Sequence, residues 1–239
     1  MRILEGEKVT KYFGGLAALS DVNFHIDEGE IVGLIGPNGA GKTTLFNLIS
    51  GALATKSGTI KFKDEKITGL KPYQICRLGV ARTFQSVKIF ANMPVLDNAL
   101  VGSFFGAPTS MPSADAARKA MESLELVGLS AAKAIPARDL TLANQKRLEV
   151  ARALATKPEL LLLDELMAGL THTEMDEVME LVTGLRDKGI TIFMIEHVMK
   201  AIMGICDRIM VLHHGEKIAE GTPKEIANNK TVVEVYLGE

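Results

Sequence analysis

Gly36-Pro-Asn-Gly-Ala-Gly-Lys-Thr43 is the stretch from which the rest of this chain can be read. It fits the pattern G-x-x-x-x-G-K-[ST], a loop that binds phosphate with its own backbone. Glycines let successive N–H groups converge on an anion with no Cβ in the way. The helix that follows adds the partial positive charge of its N-terminus. The flanks agree. Ile31–Ile35 is an almost wholly apolar run, as expected of a strand buried on both faces. Lys42–Ser50 has helical character and is ended by Gly51. Gly36, Asn38, Gly39, Ala40 and Gly41 are therefore candidate nucleotide-binding residues. Lys42 is expected to reach the β- and γ-phosphates, Thr43 to hold Mg²⁺, and Thr44 to add a hydroxyl on the α-phosphate side.

Upstream, Val22, Phe24 and Ile26 alternate with polar residues, as in a half-buried strand. Downstream, Thr59–Lys63 alternates again and is expected to join the first strands. Pro72–Leu78 reads as a short helix with proline at its start, and Gly79–Phe84 as an extended segment. From Ser86 to Asp139 the composition shifts to Ala, Met, Leu and Ser, with Pro94, Pro108 and Pro112 as punctuation. This predicts a mostly helical lobe inserted into an α/β core. Its clearest helix is Ser113–Val127, with Ala117, Met121, Leu124 and Val127 at helical spacing. The core pattern then resumes with helix Gln145–Thr156, strand Leu160–Asp164, strand Ile190–Ile195 and helix Val198–Ile205. Short strands Arg208–Leu212 and Lys217–Glu220 lead to a helical tail. Thr173-x-x-Asp176 predicts a capping box opening the helix that Gly189 ends. Repeated strand–helix alternation with buried strands implies a mainly parallel sheet covered by helices. No internal repeat and no low-complexity tract interrupts it.

Two acids follow four leucines in Leu160-Leu-Leu-Leu-Asp164-Glu165. Asp164 should lie at the C-terminal edge of a central strand, where such sheets gather ligand groups, and is expected to bind Mg²⁺ largely through water. Glu165 should orient or deprotonate the attacking water. His197 follows another buried strand to the same edge and is expected to sense the γ-phosphate. Gln85 ends the extended segment where the helical lobe begins. Its amide can accept from Mg²⁺-bound water and donate to phosphate, which would couple nucleotide state to lobe movement. His25, His172, His213 and His214 lack such a setting.

Composition excludes several other classes. The 239 residues are 47% hydrophobic, enough for one substantial core, and carry 27 basic against 29 acidic residues, a net charge of −2. No basic excess points to nucleic acid. Cys76 and Cys206 follow no metal spacing and read as reduced thiols. Met1–Lys11 alternates charge with apolar residues, which predicts no signal peptide, and no apolar run approaches a membrane span.

Taken together, these residues resemble the ABC ATPase family along nearly the whole chain. The match comprises Gly36–Thr43, Gln85 within Arg82-Thr-Phe-Gln, the signature region Leu140–Gln145, Asp164-Glu165 and His197. The resemblance implies a P-loop NTPase core with a mainly parallel sheet, an N-terminal antiparallel β subdomain and an inserted helical subdomain. It implies one domain over 1–239, with its core at 1–85 and 145–239 and its helical subdomain at about 86–144. It gives Phe13 the aromatic position that stacks on adenine; Tyr12 takes that place if the register slips by one. Ala168-Gly-Leu-Thr171 resembles the loop that crosses to a second subunit. Within the family, Ala81-Arg-Thr-Phe-Gln85, Ile195-Glu-His197, Met203-Gly-Ile-Cys-Asp-Arg208 and the ending Val235-Tyr-Leu-Gly-Glu239 are most like the ATP-binding subunit of branched-chain amino-acid importers. Lipopolysaccharide-export ATPases share the ending and much of the core and are the nearest rival.

That likeness implies ATP and Mg²⁺ as ligands. The partners would be a second, related ATPase subunit closing head to tail, two integral membrane permease subunits and, indirectly, an external solute-binding protein. It implies a peripheral place on the cytoplasmic face of the cell membrane. Three departures qualify it. The signature usually reads Leu-Ser-Gly-Gly-Gln; here it is Leu140-Thr-Leu-Ala-Asn144. Thr141 keeps a hydroxyl for the γ-phosphate. Ala143 puts a methyl where glycine is usual, at a cost of roughly 1 kcal/mol if that backbone needs positive φ. Leu166 stands for the usual proline after the acids, and Thr171 for the usual aspartate in the crossing loop. A weakly hydrolysing regulatory subunit is the reading these departures would favour.

Overall fold

Apolar side chains that alternate along a strand must find a core on each side, and here the central strands find two. The structure, a computed structural model, describes residues 1–106 and 112–237. Pro108 and the last two residues of the Val235–Glu239 ending lie outside them. Chain order is β1 Arg2–Phe13, β2 Leu16–Asp27, β3 Ile31–Ile35, α1 Lys42–Ile49, β4 Ser57–Phe62, β5 Glu65–Lys66, α2 Pro72–Leu78 and β6 Val80–Arg82. The helical lobe follows with α3 Val95–Gly106 and α4 Ser113–Leu126, then two 3₁₀ turns and α5 Leu142–Leu154. The chain closes with β7 Leu160–Asp164, α6 His172–Asp187, β8 Thr191–Ile195, α7 Met199–Ile205, β9 Arg208–His213, β10 Glu216–Gly221, α8 Pro223–Ala227 and α9 Lys230–Leu237.

Strands β2-β1-β4-β5 form one antiparallel sheet, and β10-β9-β3-β8-β7-β6 form the second. In the second sheet β9, β3, β8, β7 and β6 run parallel, and only the edge strand β10 is antiparallel. Every residue of β3, β7 and β8 is buried. Val32, Leu34, Leu160, Leu162, Phe193 and Ile195 face a core shared with the antiparallel sheet and α1. Ile31, Ile35, Leu161, Leu163, Ile192 and Met194 face the opposite core, under the remaining helices. Residues one apart in sequence thus serve different layers, as the period of two requires. The parallel arrangement brings the segments after β3, β6, β7 and β8 to one edge of the sheet.

Several expectations are corrected. β1 is a full twelve-residue strand, and the alternation over Met1–Lys11 is its signal; its pairing to β2 slips register repeatedly and Lys8 turns to φ 47°. α3 buries Asn98 and Ser103 while exposing Phe104 and Phe105, so its apolar residues form no helical stripe. The capping box opening α6 sits at Thr171 and Glu174, two residues before the expected Thr173 and Asp176. Both pairs have the right spacing. The longer glutamate side chain reaches back to the Thr171 N–H at 2.8 Å, as the motif requires. α5 starts three residues earlier than expected, with Thr141 as its N-cap.

Candidate nucleotide site

The phosphate loop is held open by glycine backbone. Gly41, the residue before α1, has φ 104°, and a Cβ there would lie 2.5 Å from the Ala18 carbonyl oxygen. Gly36 has φ 150°, with the Leu212 carbonyl oxygen 2.1 Å from where its Cβ would be. Backbones this close tolerate no side chain. No side chain caps α1, so its first N–H groups are left for an outside acceptor. Lys42 is buried and folds back over the loop, donating to the carbonyls of Gly36 at 2.6 Å and Pro37 at 3.0 Å. Burial lowers its pKa, against the raising effect of Glu165 and then Asp164. Thr43 and Asn38 are exposed, and Thr44 is half-buried.

Asp164 ends β7 almost wholly buried. Its Oδ2 accepts from Arg82 Nη2 at 2.8 Å, and its N–H donates to Thr83 Oγ1 at 3.2 Å. Its Oδ1 is buried with no hydrogen-bond partner among the described residues. Burial pushes its pKa up, while the Arg82 guanidinium pulls it down. A buried carboxylate oxygen with no donor is a cation acceptor, and oxygen ligands suit Mg²⁺. With the Thr43 hydroxyl at the start of α1, these residues fit that ion. Arg82 also donates to Asn47 Oδ1 at 2.7 Å and Ser50 Oγ at 3.1 Å, so it fixes the acid to the helix that carries the phosphate loop.

Glu165 is the next residue, at φ 50°, a left-handed conformation uncommon for glutamate. Its N–H donates to the Ile195 carbonyl at 2.9 Å, which ties the turn after β7 to the end of β8. Its Oε2 accepts from Gln85 Nε2 at 2.8 Å, and its Oε1 lies 2.9 Å from His197 Nε2. Three strand ends that are far apart in sequence thus meet on one carboxylate. Sequence alone gave each of the three a separate role; the structure brings them into direct contact. A carboxylate flanked in this way can accept the proton of a water.

The other predicted residues lie outside this contact network. Thr141 Oγ1 accepts from the Asn144 N–H at 3.3 Å, and no hydrogen bond among the described residues joins Thr141 or Ala143 to the phosphate loop. Ala143 is buried within the first turn of α5 and is not among the positive-φ residues. The expected conformational cost of its methyl is therefore absent. Phe13 and Tyr12 are both about half exposed, with the Lys11 ammonium 5.3 Å from the Phe13 ring centroid. The His213 and His214 ring centroids lie 4.0 Å apart with the planes tilted by 52°, and no metal-binding cluster occurs among the described residues.

Three residues without an expected role complete the surroundings. Besides Arg82, these are Lys146 and Glu149 of α5, both buried and both bonded to main chain. Their signal was present: two charges three apart on a helix face otherwise made of Ala143, Val150 and Ala153.

A family profile described as "ABC transporter" matches residues 19–168. A second, "Branched-chain amino acid ATP-binding cassette transporter", matches residues 216–239. The chain is 44% identical over 240 residues to the high-affinity branched-chain amino acid transport ATP-binding protein LivG of Escherichia coli K12, covering 95% of this chain and 94% of that one. It is 40% identical to BraF of Pseudomonas aeruginosa, of the same description, over 99% of this chain and 98% of that one. A crystal structure of the ADP conformation of MJ1267, an ATP-binding cassette of an ABC transporter, superposes with TM-score 0.91 at 34% identity over the full length of both chains.

Proposed function

Since the chain belongs to the ABC transporter family, as an ATP-binding subunit of the branched-chain importer type, we propose that it hydrolyses ATP at the Gln85–Glu165–His197 cluster to drive uptake of branched-chain or related amino acids. The observation that carries this reading is the Glu165 carboxylate held between Gln85 and His197 beside the buried Asp164. Gly36, Asn38, Gly39, Ala40, Gly41, Lys42, Thr43 and Thr44 hold the phosphates, and Phe13 stacks on the adenine. Glu165 takes the proton of the attacking water as its oxygen bonds to the γ-phosphorus and the β–γ bridge breaks. His197 and Gln85 hold the carboxylate toward that water. Thr43, Gln85 and Asp164 would hold Mg²⁺ directly or through its water. When bound, that ion offsets charge developing on the phosphate oxygens.

The helical subdomain, about 86–144, moves relative to the core at 1–85 and 145–239. Two related subunits pair head to tail, each presenting Thr141 and Ala143 to the other's nucleotide. The membrane permeases dock in the cleft of about 400 Å³ between α2, α3 and α5. Its lining includes Tyr73, Phe84 and Phe105, all exposed, and it ends next to Gln85. Contiguous exposed aromatic surface marks a protein contact. No described helix is long and apolar enough to cross a membrane. Docking on the permeases holds the subunit at the cytoplasmic face. The solute-binding protein then acts only through the permeases.

The test is Glu165→Gln. ATP binding should persist, phosphate release should fall steeply, and the ATP-bound dimer should accumulate. Undiminished turnover would sink the reading. The helical backbone at Ala143 removes the conformational motive for a weakly hydrolysing regulatory role, which then rests on Leu166 and Thr171.

A further inference from the structure

Helix α5 enters the site from the side, through two buried charges three residues apart. Lys146 Nζ donates to three main-chain carbonyls, those of Glu165 at 3.2 Å, Leu166 at 2.9 Å and Ala168 at 2.6 Å. An ammonium has three donors and no acceptor, so this one is fully satisfied by a single turn of backbone. One helical turn on, the Glu149 carboxylate accepts the Lys88 N–H at 3.3 Å. Lys88 lies three residues beyond Gln85 on the same segment. The two grips therefore fall on the two segments whose side chains meet at 2.8 Å, Gln85 and Glu165.

Both charges are met where they are buried, Lys146 by its three carbonyls and Glu149 by the Lys88 N–H and by the Arg152 guanidinium 3.7 Å away. Lys146 is 5% and Glu149 2% exposed, and burying a charge is unfavourable unless it is fully hydrogen-bonded. Burial lowers the pKa of Lys146 and raises that of Glu149. An apolar pair would fill the same space without that penalty. What the charges provide is direction: convergent carbonyls of the Glu165 segment on one side, an amide of the Gln85 segment on the other.

We infer that Lys146 and Glu149 are positioning residues through which α5 sets the Gln85–Glu165 contact, so that displacement of the helical lobe is read directly by the hydrolytic carboxylate. α5 opens at Leu142 inside that lobe, runs on into the core and packs on α3, α4 and β6, so it is the element through which lobe displacement reaches both segments. The inference rests on the role given above to Glu165.

The experiment measures phosphate release and ATP affinity of the full chain carrying Lys146→Met, Glu149→Leu or Glu165→Gln. Lys146→Met should lower kcat about 10- to 100-fold, the scale of a small misplacement of catalytic groups. KM should stay within about threefold, because the lost bonds touch no nucleotide-facing atom. Glu149→Leu should show the same split, and serves alone if Lys146→Met does not fold. An unchanged kcat in a folded variant overturns the inference, and so does a kcat loss matched by an equal loss of ATP affinity. If Glu165→Gln itself keeps full turnover, the reading of the site has failed instead.

Discussion

The phosphate loop and the segment Leu140–Asn144 are both expected to face phosphate, yet they are built on opposite principles. The loop uses backbone that only glycine adopts: Gly41 at φ 104° and Gly36 at φ 150°, each pressed against a carbonyl of another element. The signature segment is the ordinary first turn of a helix, capped by the Thr141 hydroxyl. A site made from forbidden backbone cannot change its residues. A site made from a helix N-terminus can, because any residue with helical φ leaves the N–H groups in place. Leu142 and Ala143 therefore alter the surface of the signature without altering its backbone.

The largest effect that sharpens this contrast is on the loop's chemical neighbour. Glu165→Gln should lower phosphate release about 10²- to 10⁴-fold, the range for loss of a general base, with ATP binding kept. Arg82→Ala should come next. It leaves the nearly fully buried Asp164 without its cation and should destabilise the fold by about 3–5 kcal/mol in denaturant titration. Gly41→Ala should follow, at about 2–3 kcal/mol, from left-handed backbone plus a contact that must be relieved, and nucleotide affinity should fall with it. Ala143→Gly, the reversion toward the usual signature, should be the smallest, within about 1 kcal/mol and slightly destabilising, since glycine is a poorer helix former. A large rise in turnover from Ala143→Gly would break the comparison, because it would mean that the methyl obstructs the partner's nucleotide.

Much of this was legible in the sequence, for a definable reason. Strands buried on both faces, such as Leu160–Leu163, write themselves as unbroken apolar runs, and the phosphate loop has a fixed spacing. β1 was legible only as an alternation of charged and apolar residues over Met1–Lys11, because its register slips against β2 break a strict period of two. α3 was hidden because it buries Asn98 and Ser103 while exposing Phe104 and Phe105, which erases the apolar stripe. The capping box was misplaced because Thr171 and Thr173 both carry an acid three residues on, and only side-chain length separates them. In the site, each of Gln85, Glu165 and His197 could be singled out, but their mutual contact could not, since strand order sets it. Lys146 and Glu149 are legible only in retrospect, as charges on a buried helical face.

One feature of the loop bears on which nucleotides it can admit. The Lys42 ammonium bridges the carbonyls of Gly36 and Pro37. A ligand must therefore compete for that cation and not merely find it. A nucleoside diphosphate or triphosphate can offer anionic oxygens deep in the loop and draw Lys42 away from its carbonyls. The same two carbonyls that steady the ammonium therefore set how much negative charge an incoming nucleotide has to bring.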